Sequence, residues 1–186
     1  QQIVPVSGWR SLKEQQDIFK QSLKDNGRTF TQQFVALPGK SEHQTGLAID
    51  LGLKKESIDF IRPDFPYIGI CQQFREKSVP YGFIERYPRE KEHITGIAHE
   101  PWHFRYVGTP HAEIMREHHF CLEEYIDFLK RFSQDQPYTF YKDSQEIQIF
   151  YLKADTESVS LEVAEDGSLS VSGNNVDGYI ITEWRG

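Results

Sequence analysis

SEHQTGLAIDLG, residues 41–52, is the stretch on which the fold reading turns. From Leu47 onward apolar and other side chains alternate. Leu47, Ile49 and Leu51 take one side and Ala48, Asp50 and Gly52 the other, the period of a β-strand. Asp50 therefore points away from the leucine layer and is free to face a site. His43 lies upstream, and Gly46 between the two permits a tight turn. HEPWHFRYVG, residues 99–108, is the second such stretch. Its aromatic and β-branched density argues for a central strand, and it carries His103 and, three residues earlier, Glu100.

These residue types set a chemistry. A hydrolytic zinc site uses three nitrogen or oxygen ligands from the protein and leaves a fourth position for water. His43, Asp50 and His103 fill the three places, which implies one catalytic Zn2+. A second carboxylate must stay off the metal to take the water's proton, and Glu100 is the candidate. A lone His-x6-Asp means little more than a surface hydrogen bond. The company of Glu100-x-x-His103 and of Arg10-Ser11 is what makes it a site.

With 186 residues, 38% of them hydrophobic, the chain can bury a core without disulfide staples. Lys and Arg number 21 against 28 Asp and Glu, a formal charge of -7, and no basic stripe tracks along the sequence, so nucleic acid is not an expected partner. No apolar run reaches the ~18 to 20 residues that span a bilayer, and the start does not read as a signal peptide. The sequence opens at Gln1 and enters interior-like IVPVSGWR within a few residues, so an upstream segment is expected. Cys71 and Cys121 sit far apart among core-like neighbours and read as small buried hydrophobes rather than a redox pair. Free thiols favour a reducing compartment.

Residues 3–6 alternate like a strand end and Ser7-Gly8 breaks it. Ser11 is a good N-cap for a helix over residues 12–25 with Leu12, Ile18, Phe19 and Leu23 on its apolar face and Asn26-Gly27 as the stop. Residues 67–77 read as a helix burying Ile68, Ile70, Cys71 and Phe74. Residues 81–85 look like a strand entry, followed by the charged loop PREKEHITG. Thr109-Pro110 then starts what is expected to be the longest helix, residues 111–132, with Ile114, Met115, Phe120, Cys121, Leu122, Tyr125, Ile126 and Leu129 as its buried stripe. After Asp135-Gln136-Pro137 the composition changes. YTFYK, EIQIFYLKA, SVSLEVA, SLSVSG and GYIITEW alternate, with turn signals at Glu165-Asp166-Gly167 and Asn174-Asn175. The expected organisation is a domain carrying the zinc site over residues 1–135 and a small β appendage over 136–186. The fold class is α+β, with helices packed on a central, mainly antiparallel sheet that carries the zinc site and a small antiparallel β unit at the C-terminal end.

Ser41-x-His43-x-x-Gly46-x-Ala48-x-Asp50, Glu100-x-Trp102-His103-x-Arg105-Tyr106-Val107-Gly108 and the earlier Ser7-Gly8-Trp9-Arg10-Ser11 stand in an order and at spacings that resemble one family. It is the zinc D,D-peptidases of the vancomycin-resistance group, VanX, VanY and VanXY, within the lysostaphin and D-Ala-D-Ala metallopeptidase superfamily. The VanXY type is the nearest look. The resemblance spans residues 4–132. It implies His43, Asp50 and His103 as metal ligands, Glu100 as base, Arg10 as the group that steadies the developing oxyanion, Gln15 and Ser41 as substrate contacts and Trp102 as a wall of the pocket. It implies hydrolysis of the terminal D-Ala-D-Ala bond in the free dipeptide, in peptidoglycan precursor pentapeptides, or in both, and hence glycopeptide resistance. Cleavage of L,D or cross-linked stem peptides by the same fold, and an inactive module that binds wall peptides, are the alternatives. A dipeptidase works on the cytoplasmic pool, so a cytoplasmic location is favoured over an anchored, extracytoplasmic one. One departure is Trp9, where the family more usually has tyrosine.

Other polar residues read more plainly. Arg105 is a strand arginine expected to pair with a structural carboxylate. His118, His119 and Cys121 are expected to be solvated histidines beside a core cysteine, not a second metal site. His93 and His99 flank the active segment on a loop, and Asp59, Asp64 or Glu85 could hold a substrate amine. The tail reads as a stabilising cap that covers a sheet edge or a homodimer contact, ahead of a wall for longer peptides.

Overall fold

The computed structural model describes residues 2–155, 158, 161 and 167–185. Backbone contacts divide the chain into two compact units, Gln1–Cys121 and Leu122–Gly186.

The first unit is built on an antiparallel sheet in the order β1-β2-β4-β3. Its strands are β1 (Ile3–Ser7), β2 (Ala48–Leu53), β3 (Phe83–Tyr87) and β4 (Glu100–Tyr106). The expected strand forms as Ala48–Leu53, with Leu47 outside it and exposed. Leu51 joins Phe65, Cys71, Trp102 and Phe104 in the core, Ile49 packs against that cluster, and Asp50 is buried elsewhere. Phe74 and Phe104 meet edge to face with ring centroids 5.0 Å apart, and Phe65 and Phe104 at 5.5 Å, a favourable aromatic geometry.

Helix α1 (Leu12–Phe34) starts where Ser11 predicts it, in a full capping box. The Ser11 hydroxyl accepts from the Glu14 N–H at 3.2 Å, and the Glu14 carboxylate accepts from the Ser11 N–H at 2.7 Å. The expected stop at Asn26-Gly27 is instead a kink. Gly27 leaves helical geometry at φ 79°, and helix resumes to Phe34. Thr31 donates its hydroxyl to the Gly27 carbonyl at 2.9 Å and shares a buried 2.8 Å bond with Ser22, which ties the two helical segments together across the kink. Helix α2 (Gly69–Ser78) buries Cys71 as expected, whereas Ile68 and Ile70 are exposed. Ile68 precedes the helix in extended backbone and so does not share its buried face.

A short helix, α3 (Glu92–Thr95), occupies the charged loop. The expected long helix over 111–132 is two helices, α4 (His111–His118) and α5 (Leu122–Leu129). His119 turns left-handed at φ 54°, its N–H meets the Arg116 carbonyl at 3.3 Å, and the Phe120 N–H meets the Met115 carbonyl at 2.9 Å. That is a Schellman stop made without glycine. Gly82 allows another close approach. It sits at φ 83°, and a Cβ there would lie 2.8 Å from the Gly108 Cα. Its carbonyl receives the Val107 N–H at 2.8 Å.

The second unit contains α5 and an antiparallel sheet ordered β5-β6-β8-β7: β5 (Tyr138–Lys142), β6 (Gln145–Lys153), β7 (Ser168–Gly173) and β8 (Gly178–Arg185). Ile147, Ile149, Phe150 and Ile181 are buried, and Phe128 stacks edge to face on Tyr138 at 5.1 Å. The β-strands begin near the composition change at residue 136, and the compact unit itself begins with α5. Asn174 makes the expected turn, its Oδ1 accepting from the N–H groups of Val176, Asp177 and Gly178. The expected strand SVSLEVA and the turn signal Glu165-Asp166-Gly167 lie largely outside the described residues. Cys71 and Cys121 are buried and form no disulfide among the described residues.

Candidate metal centre

Asp50 and His103 are direct partners in the β2–β4 register, which brings their Cβ atoms to one face of the sheet. His43 comes from a single 3-10 turn, Glu42–Thr45, closed by left-handed Gly46 at φ 75°. In a regular strand Glu100 and His103, three apart, would face opposite ways. The β3–β4 pairing is irregular here: Glu85 opposes Phe104, and Tyr87 opposes Glu100. This bulge re-aims the chain and sets Glu100 Oε2 3.9 Å from His103 Nδ1.

His43, Asp50 and His103 are all buried, and one donor atom from each lies within 4.8 Å of the others. His43 Nδ1 is 2.7 Å from the Gly8 carbonyl, which leaves Nε2 turned inward, 3.2 Å from Asp50 Oδ2. His103 Nδ1 lies 2.9 Å from Asp50 Oδ1. Arg10 donates through Nη1 to Gln15 Oε1 at 3.1 Å and through Nη2 to Asp50 at 3.5 Å, while its buried Nε has no partner among the described residues. Gln15 in turn donates to the Ala36 carbonyl at 2.8 Å. Arg10, Gln15, Ser41, His43, Asp50, Glu100, Trp102 and His103 all line one cavity. These are the residues that the resemblance assigns to the site.

Burial dominates the electrostatics. It pushes the Glu100 carboxyl up to about 8, with the charges of Asp50 and Glu42 adding to the effect and His103 and Arg10 opposing it. Asp50 is held well below the carboxylate range against the cost of its own burial, because His103 and His43 hydrogen-bond to it. His103 rises to about 9: desolvation resists, but bonds to Asp50 and Glu42 outweigh it. Burial lowers the Arg10 pKa, with Asp50 and Glu100 working the other way. The carboxylates of Asp50, Glu42 and Glu100 around His103 thus favour positive charge at this point. Two imidazoles and one carboxylate, all buried and converging with a further carboxyl beside them, fit Zn2+.

The other polar candidates have tasks elsewhere. Asp59 caps the N–H groups of Ile61 and Arg62, Asp64 pairs with Lys55 at 2.6 Å, and Glu85 pairs with Arg75 at 2.7 Å. His99 lies 2.7 Å from the Tyr67 hydroxyl, which also donates to Glu85. His93 is exposed and His118 stacks on Phe120. Arg105 does pair with a carboxylate, Glu42, at 3.1 Å. Glu42 is what residue-type reasoning passed over: its Oε2 is 3.4 Å from His103 Nε2, and Arg86 Nε reaches Oε1 at 2.8 Å. The cavity also has apolar walls, among them Ile18, Phe34, Phe60, Ile61 and Ile97. Only the position of Glu42 inside the motif hinted at it, and Phe60 and Ile61 carried no signal.

Comparison with known proteins gives a consistent set. A family model described as VanY, D-alanyl-D-alanine carboxypeptidase, matches residues 1–109. The chain is 54% identical over 125 residues to the bifunctional D-Ala-D-Ala dipeptidase and D-Ala-D-Ala carboxypeptidase VanXYC of Enterococcus gallinarum, a match covering 67% of this chain and 66% of that protein. Among solved structures, the vancomycin-resistance D,D-dipeptidase VanXYg in complex with a D-Ala-D-Ala phosphinate analogue superposes with a TM-score of 0.97 at 57% identity, over 99% of this chain and 74% of that one. A D,D-pentapeptidase VanY mutant from a VanB-type resistance cassette, in complex with Zn(II), follows at a TM-score of 0.56 and 34% identity, covering 67% and 71%. The chain spans between 47% and 66% of the length of the curated relatives it matches.

Proposed function

The chain belongs to the VanY family of D-alanyl-D-alanine carboxypeptidases, and from that premise we propose that it is a zinc-dependent D,D-peptidase. It hydrolyses the terminal D-Ala-D-Ala bond of the free dipeptide and of peptidoglycan precursor pentapeptides, and so confers glycopeptide resistance. The observation that carries the reading is the convergence of His43, Asp50 and His103 with Glu100 beside them in one buried cavity.

His43, Asp50 and His103 would hold the ion. When bound, Zn2+ polarises the scissile carbonyl and lowers the pKa of the attacking water. Glu100, beside the three donors, takes a proton from the attacking water as the water's oxygen adds to the carbonyl carbon. The C–N bond then breaks, and Glu100 returns the proton to the departing D-Ala amine. Arg10 places its guanidinium where the oxyanion develops. Ser41 and Gln15 face the substrate's terminal carboxylate, and Trp102 closes the wall beside the reacting bond. Among the described residues no helix is long and apolar enough to cross a membrane. We place the reaction in the cytoplasm, where the free dipeptide is found.

The test is zinc content and D-Ala release measured on one sample with free D-Ala-D-Ala, precursor pentapeptide and intact muropeptides. Stoichiometric zinc with D-Ala release that a chelator stops and a β-lactam does not is the expected result. Cleavage confined to muropeptides would replace the reading with a stem-peptide endopeptidase, and bound zinc without any hydrolysis would leave a peptide-binding module.

A further inference from the structure

Each of the two histidines has two ring nitrogens, and a metal can take only an unprotonated one. The proton must then sit on the other nitrogen and find an acceptor. For His43 the acceptor is the Gly8 carbonyl. His103 is turned the other way round. Its Nδ1 faces Asp50 and Glu100, and its Nε2 faces Glu42 Oε2 at 3.4 Å.

We propose that Glu42 is the positioning residue of the centre: it accepts the Nε2 proton of His103 and thereby fixes the tautomer that leaves Nδ1 bare toward Asp50. The proposal rests on the metal-holding role of His43, Asp50 and His103. Three features make Glu42 suited to it. It precedes His43 on the same 3-10 turn, so one turn supplies a ligand and the anchor of another ligand. Its second oxygen is occupied, since Arg86 Nε and Arg105 Nη1 both reach Oε1, at 2.8 Å and 3.1 Å, which leaves Oε2 for the imidazole. The clamp is itself rigid: Ile84 pairs with Arg105 across β3 and β4, which sets Arg86 diagonally opposite, the Arg86 guanidinium covers the Tyr87 ring at 4.7 Å, and that ring lies 5.1 Å from His103. A buried carboxylate offset by two guanidiniums keeps its negative charge, and a charged acceptor makes the imidazole a better donor to a metal than a neutral one does.

The experiment measures zinc affinity of the wild type, Glu42→Gln and Glu42→Ala by competition with a chromophoric chelator, with circular dichroism of each metal-free protein. Glu42→Ala is expected to bind zinc about 10- to 100-fold more weakly, with Glu42→Gln in between and both folded. A folded Glu42→Ala protein with wild-type affinity overturns the proposal. Should the variants fail to fold, nitrogen NMR of the zinc-loaded wild type decides, because the proposal requires His103 to be protonated at Nε2 and bare at Nδ1. The opposite tautomer overturns it. A wild type that takes up no zinc at all overturns the metal centre as well, which separates the two readings.

Discussion

Asp50 on β2 stands directly across the ladder from His103 on β4, with Oδ1 2.9 Å from Nδ1. Neighbouring strands thus deliver a carboxylate and an imidazole to one point with no loop to order. Positions held by strand backbone are stiff, which suits a centre whose geometry must hold while chemistry happens beside it.

Glu100 touches His103 only at 3.9 Å and is not among the three converging donors. Glu100→Gln keeps the volume and removes the base. It should bind zinc with little change while turnover falls by roughly 10²- to 10⁴-fold. Metal content and D-Ala release on the same preparation check this, and parallel loss of zinc and activity would contradict it.

Arg10 spans Gln15 and Asp50 with two different nitrogens. Arg10→Lys preserves the charge but cannot hold both positions. A loss of about 10²- to 10³-fold in kcat is expected, the scale of removing one oxyanion donor, with zinc affinity nearly unchanged. Steady-state kinetics at saturating zinc provide the readout.

Burial pushes the His111 imidazole down to about 4, against an ordinary value of about 6.5. The unfolded chain therefore gains this proton at a higher pH than the folded one. The associated stability is fully present above about pH 6.5 and is lost as pH falls toward 4. Urea unfolding at pH 7.5 and pH 5 should show a smaller drop for His111→Phe than for the wild type. Equal drops would mean that the ring is not held neutral in the fold.

Gly82→Ala and Gly96→Ala separate strain from contact. Both glycines are left-handed, at φ 83° and 71°, but an added Cβ at Gly82 meets the Gly108 backbone at 2.8 Å and one at Gly96 meets nothing within 4 Å. Gly96→Ala should cost about 1 to 2 kcal/mol from conformation alone, and Gly82→Ala distinctly more. Thermal or denaturant midpoints of the two variants, compared side by side, test the order.

The parts of this protein legible in the sequence are those governed by local rules or by scarce residue types. Alternation placed Asp50 on the face opposite Leu51, Ser11 announced α1, and two histidines and an aspartate with a spare glutamate are a ligand set suited to a hydrolytic zinc site. What escaped depends on partners distant in sequence or on irregular backbone. Helix α1 resumes after Gly27, where Thr31 bonds back to the Gly27 carbonyl and to Ser22, and α4 ends at His119, which takes a conformation usually left to glycine. Glu42 has no assigned role in the sequence reading; its partners Arg86 and Arg105 come together only in the fold. The irregularity between Glu100 and His103 belongs to the pairing of β3 with β4, not to either segment alone.

The facing of Asp50 and His103 across a single rung also makes the centre sensitive to strand alignment. A slip of one residue between β2 and β4 would carry Asp50 to the opposite side of the sheet, and the three donors could no longer meet. An ion that binds only the correct alignment therefore penalises every other one, acting as a proofreader of the sheet as well as a reagent.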